Sequence, residues 1–227
     1  MGPVTFVHVA AGAVVLGIAP LAMIVRKGGR WHRRLGLGFL AAMAGVTITA
    51  SVMWQQRGHG FLLLLDLVTV YFLVLGYRVL ARNRRGTPSR RADALDASFA
   101  LGALAASVAL IAGAFAPSDA LLVQLRIVLG SLGSIGAIFA ALELVGLAFG
   151  PRQRYGWLFS HLAAMIAAYV SAVTAFVVIN AHGIPMTLRW FVPVALGALV
   201  ISAFSAFYRW KFWRAARAAR RSRLRRA

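Results

Sequence analysis

Few side chains in this sequence can do chemistry, and most of them sit inside long apolar stretches. His8, Asp66 and Arg126 lie near one end of the stretches that carry them, whereas His32, Arg78, Glu143 and His161 lie near the other. Ionisable groups in membrane-length apolar segments are costly to bury and usually face a bundle interior or a cavity, so each is a candidate for binding, relay or pairing. Three chemistries fit these residue types. A carboxylate beside an imidazole can exchange a proton at neutral pH, as a proton-linked carrier of a small solute requires. Two neutral imidazoles on neighbouring helices can clamp the iron of a b-type haem, and the pairs on offer are His32 with His161, and His8 with His59 or His182. Opposite charges at one depth can also cross-link helices. Asp66 would then pair with Arg126 beside His8, and Glu143 with His161, Arg78 or the basic loops.

Other chemistries are absent from the outset. The chain has no cysteine, which removes disulfides, thiolate metal sites, iron–sulfur clusters and covalently attached c-type haem. No HxxxH or HExxH spacing brings metal ligands onto one helical face, so neither a metal centre nor a catalytic set is expected. Both lysines, Lys27 and Lys211, lie outside the apolar stretches, which argues against a buried Schiff base. The expectation is therefore no enzyme and no cofactor, with haem b as the alternative. The run of Gly130, Gly133 and Gly136 lacks the strand–loop–helix context of a phosphate loop and reads instead as a close helix contact in lipid. Gly102 and Gly113 say the same of the stretch before it.

These side chains are positioned by seven apolar stretches, at 4–24, 35–54, 61–80, 95–116, 121–149, 157–180 and 191–208 of the 227 residues. A spanning helix needs about 20 mostly apolar residues. The composition agrees, at 61% hydrophobic with a mean hydropathy of +0.78, more than a water-soluble domain can hide. An all-α, seven-helix polytopic membrane protein follows, with a basic tail over 209–227. The formal net charge of +20 could suggest nucleic acid, but its placement argues otherwise. All but Arg57, Arg126 and Arg189 of the 25 Lys and Arg fall in alternate gaps, in the tail or, for Arg78, at the end of the third stretch beside such a gap. That asymmetry predicts an N-terminus outside and a C-terminus in the cytoplasm. The tail, with Trp210, Phe212 and Trp213 among its cations, is suited to anionic lipid headgroups. A homo-oligomer is compatible with this reading, as is a bacterial inner-membrane location.

His8 in the first stretch, the segment KGGRWHRRLG over 27–36, YFLVLGYRVL over 71–80 and WLFSHLAAMIAAYVSAVTAFVVIN over 157–180 resemble a family of uncharacterised bacterial membrane proteins defined by a domain of unknown function. The resemblance extends from the first stretch to the start of the seventh and is most specific in the first 45 residues and in the sixth stretch. It implies a polytopic inner-membrane protein, brings no established substrate or cofactor, and marks His32, Arg33, Arg78 and His161 as signature positions. The leading functional expectation is a small-solute or proton-linked carrier using the two polar layers, with a bis-histidine haem electron carrier as the alternative.

Overall fold

The computed structural model describes residues 2–57, 60–85, 90–116, 123–150 and 155–224. Seven helices make up the fold: α1 (Pro3–Ile24), α2 (Arg30–Arg57), α3 (Gly60–Arg85), α4 (Arg90–Phe115), α5 (Val123–Phe149), α6 (Gly156–Asn180) and α7 (Met186–Leu224). Each is long and apolar enough to cross a membrane, and the protein is an all-α seven-helix bundle. Its outer surface is apolar, with Phe6, Leu37, Ile48, Val108, Leu142 and Leu199 exposed. In lipid such a surface needs no further partner, because the hydrocarbon is as apolar as the side chains.

The helices form a ring in the order α1, α2, α3, α4, α5, α7 and α6, closing back on α1, with α3 and α6 also packed against each other across it. That central contact divides the bundle into a four-helix group (α1, α2, α3, α6) and a five-helix group (α3, α4, α5, α7, α6). It exists because α3 carries Gly76 where α6 carries Met165 and Ala164. A methyl group on Gly76 would stand 2.6 Å from the Met165 sulfur and 3.5 Å from the Ala164 methyl. The α4–α5 contact is built the same way. A methyl on Gly133 would come within 2.7 Å of the Ser107 carbonyl oxygen and 3.0 Å of Leu110 Cβ, and one on Gly136 would strike the Ser107 hydroxyl. The small-residue contact expected of α5 is therefore present. Gly102, expected to share it from α4, instead faces open space.

The helices run further into the basic segments than hydropathy suggests. The expected loop over 81–94 shrinks, since α3 continues to Arg85 and α4 begins at Arg90. α2 likewise starts at Arg30 rather than near 35, and the tail is helical through Leu224. Arginine is a good helix former whose aliphatic stem packs along apolar surface while its head reaches water, so these residues prolong helices instead of ending them. Pro20 in α1 and Pro193 in α7 are both accommodated within continuous helices. α1 ends at a turn in which Gly28 adopts φ 74°, a left-handed conformation that glycine takes without strain. There Lys27 folds back and donates through Nζ to the Ala22 carbonyl at 3.1 Å and to that of Met23, an arrangement the negative end of the helix dipole favours.

Candidate functional site

At the basic end of the four-helix group, His32 in the first turns of α2 and His161 in those of α6 approach each other. Their ring centres are 6.3 Å apart and the planes lie at 80°. Each ring is fixed by the backbone of a third helix. His32 Nδ1 donates to the Ala22 carbonyl of α1 at 3.0 Å, and His161 Nδ1 donates to the Gly76 carbonyl of α3 at 2.7 Å. A carbonyl only accepts, so both imidazoles carry their proton on Nδ1 and both keep Nε2 as the basic nitrogen. Hydrogen bonds of this kind orient metal-ligating histidines and raise their basicity.

The two rings line a cavity of about 410 Å³, within the usual span for ligand and cofactor sites. One part of its wall is apolar, formed by Phe39 of α2, Leu162, Met165 and Ile166 of α6, and Phe204 of α7. The other part, at the basic end, carries Lys27, Arg33 and Arg84. Toward the opposite end of the bundle α1, α2 and α6 bury Val15, Met43 and Ala168 completely. The cavity thus lies in one half of the bundle. Sites in helix bundles are built in this manner, from inward side chains on facing helices.

The opposite face of α3 carries a separate charged network. Arg78 Nε donates to Asp96 Oδ1, Arg82 Nε lies 3.6 Å from Asp96 Oδ2, and Arg82 Nη2 donates to Glu143 Oε1. Tyr71, on the same stripe of α3, donates its hydroxyl to the Phe139 carbonyl at 3.1 Å. This network ties α3 to α4 and α5. It makes Glu143 a partner of Arg82, one of the basic residues after the third apolar stretch, which was among the partners the sequence offered it. Arg78 belongs to it as well, so of the expected inner layer only His32 and His161 reach the cavity.

The expected outer layer does not assemble as one cluster. His8 Nδ1 donates to the Thr49 hydroxyl at 2.9 Å; Thr49 uses its own proton on the Gly45 and Val46 carbonyls, at 2.6 and 3.0 Å. Asp66 accepts from the Ser51 hydroxyl at 3.1 Å, and Asp66 with Arg126 is not among the ion pairs of the described residues. Two causes can be named. Thr49 and Ser51 stand two positions apart, about 200° around α2, so His8 and Asp66 lie on different sides of that helix. Arg126 is on α5, which packs chiefly against α4. Of the proposed haem partners for His8, His182 is exposed in the turn after α6 and His59 lies outside the described residues.

Several residues that shape the site were not expected. Asp96, 5% exposed, sits one position inside its apolar stretch and resembles a loop residue by hydropathy. Its signal was the spacing of Arg78 and Arg82, one helical turn apart and therefore on one face. Gly76 acts through its carbonyl and the closeness it permits, for which a lone sequence offers no signature. Lys27 and Arg84 were legible as topology signals, not as cavity lining. Among comparisons with known proteins, no family model, no curated protein and no solved structure matches this chain, so the geometry of the site alone speaks for its chemistry.

Proposed function

We propose that this multi-pass membrane protein holds one b-type haem between His32 and His161 and works in electron transfer at the cytoplasmic side of a bacterial inner membrane. The observation that carries this reading is the ring separation. An iron held by two imidazole nitrogens at about 2 Å each sets the ring centres about 6 Å apart, and His32 and His161 stand at 6.3 Å with Nδ1 of each already engaged. The iron supplies one-electron chemistry when bound, its potential set by axial ligands, hydrogen bonds and burial. The chain supplies the rest. His32 and His161 offer Nε2, the Ala22 and Gly76 carbonyls hold both tautomers, and Phe39, Ile166 and Phe204 keep water from the reacting centre. His182, one of the two partners expected for an outer haem on His8, is exposed in the turn after α6.

The test is spectroscopic. Protein purified from haem-replete cells should show a Soret band, with separate α and β bands on reduction. A colourless preparation from such cells would end this reading. A carrier is the second reading, favoured by a cavity confined to one half of the bundle with cations at its mouth, as an inward-facing anion carrier would have. A haem-free protein that moved a labelled organic anion into proteoliposomes would establish it. Either activity is compatible with a tail held on anionic lipid. Trp210 and Trp213 are exposed with Arg214 and Arg217 stacked over them at 4.7 and 5.1 Å, and each cation near such a surface adds about 1 kcal/mol.

A further inference from the structure

The cavity is charged on one side only, and this bears on what it can hold. Lys27, Arg33 and Arg84 are part of its described lining, and none of the chain's five Asp and Glu residues is. The contrast with the other face of α3 is sharp, since there Arg78 and Arg82 meet Asp96 and Glu143. Lys27 is the most constrained of the three. Its ammonium spends donors on the Ala22 and Met23 carbonyls and stands 5.2 Å over the Phe204 ring. Burial pushes it below lysine's ordinary range, as expected of a cation drawn from water without a matching anion. One of its three donors is left for a ligand. Arg33 and Arg84 are exposed and bring planar forks suited to carboxylates. The wall facing these cations is apolar. The shape therefore suits a flat apolar body with anionic groups on one edge.

We infer that Lys27, Arg33 and Arg84 bind the carboxylates of the porphyrin, so that haem lies with its propionate edge toward the basic end of the bundle and its apolar edge against Phe39 and Ile166. This inference rests on the haem reading and adds an orientation and a chemical requirement to it: the ligand must be an anion. The three cations act on binding and orientation, while His32 and His161 ligate. A lipid phosphate could present similar chemistry, but it would bring no group for the two Nε2 atoms.

The experiment compares two porphyrins on full-length protein prepared in haem-depleted cells. Ferric protoporphyrin IX and its dimethyl ester, which lacks the charges but keeps the ring and the iron, are each titrated into the detergent-solubilised protein. The low-spin Soret band is followed. Wild type should prefer the free acid by roughly tenfold or more, the scale of one charge-assisted hydrogen bond. Lys27→Gln/Arg33→Gln/Arg84→Gln should bind both forms equally with an unchanged spectrum. Should that triple variant fail to fold, Arg84→Gln alone should narrow the preference by about threefold, a fraction of one such bond. Equal affinity of wild type for the two porphyrins would overturn the inference and leave the histidine pair standing, as would a triple variant that kept the preference. A wild type that formed the low-spin band with neither porphyrin would remove the haem reading and this inference together.

Discussion

Asp96→Ala is expected to destabilise the bundle by about 3 kcal/mol or more, the range for removing one partner of a buried ion pair. Asp96 is 5% exposed and answers Arg78 and Arg82 together, so its loss strands positive charge where lipid offers nothing in return. Arg82 keeps Glu143, which limits the damage on that side. Thermal unfolding in detergent is the measurement, with Lys211→Ala on the exposed tail as the control that should barely shift. A cycle combining Arg78→Gln with Asp96→Asn isolates the pair. The double variant should lose clearly less than the two single losses added, and strictly additive losses would contradict the pairing.

The second large effect is expected at Gly76, through geometry and not charge. Gly76→Ala places a methyl 2.6 Å from the Met165 sulfur and 2.9 Å from its Cγ. Either Met165 swings into the cavity it lines, or α3 withdraws and its carbonyl leaves His161. Both weaken ligand binding, and loss of a hydrogen bond behind a metal ligand typically costs 10- to 100-fold in affinity, so a fall of roughly that size is expected for haem. Overpacking should also lower stability by about 1–3 kcal/mol. Met165→Ala in the same chain should restore both, because it vacates the space the new methyl needs. A Gly76→Ala protein that unfolds and binds haem like wild type would show that the α3–α6 approach does not matter. A loss that Met165→Ala fails to rescue would point to some cause other than the clash.

How much of this was legible in the sequence depended on what kind of information each feature carries. The seven spans and the clustering of basic residues at one end are one-dimensional properties, and hydropathy and charge report them directly. The depth of a residue is also legible, and His32 and His161 pair on that ground. Azimuth is not. Asp66 and Arg126 share a depth, yet α2 and α4 flank α3 and Ser51 reaches the carboxylate first. His8 lies at a similar depth again and faces Thr49 on another side of α2. Glu143 was legible only as a partner of some basic residue, among several on offer. Its partner Arg82 reads as loop, because hydropathy ends a span where arginines begin, whereas the helix itself continues through them. Gly76 and Ala22 contribute main-chain carbonyls, which every residue possesses, so only their placement beside the imidazoles reveals them.

The stripe structure of α3 explains why one helix can serve two sites. Tyr71, Leu75, Arg78 and Arg82 recur at helical spacing and turn toward α4 and α5, while Gly76, Leu80 and Asn83 turn toward α6 and the cavity. The charged network thus anchors the helix that presents the Gly76 carbonyl to His161. Coupling between the two faces would appear as a change in the haem spectrum of Asp96→Asn protein that remains folded.

Whether His32 and His161 ligate one iron together is tested most directly by electron paramagnetic resonance of the ferric protein. Wild type should carry about one haem per chain with a low-spin signal typical of two imidazole ligands. His32→Ala and His161→Ala should each lose that signal, through a high-spin centre or through loss of haem, and His8→Ala should leave it intact. A low-spin signal that survives in either of the first two variants, or disappears in the third, would contradict the assignment.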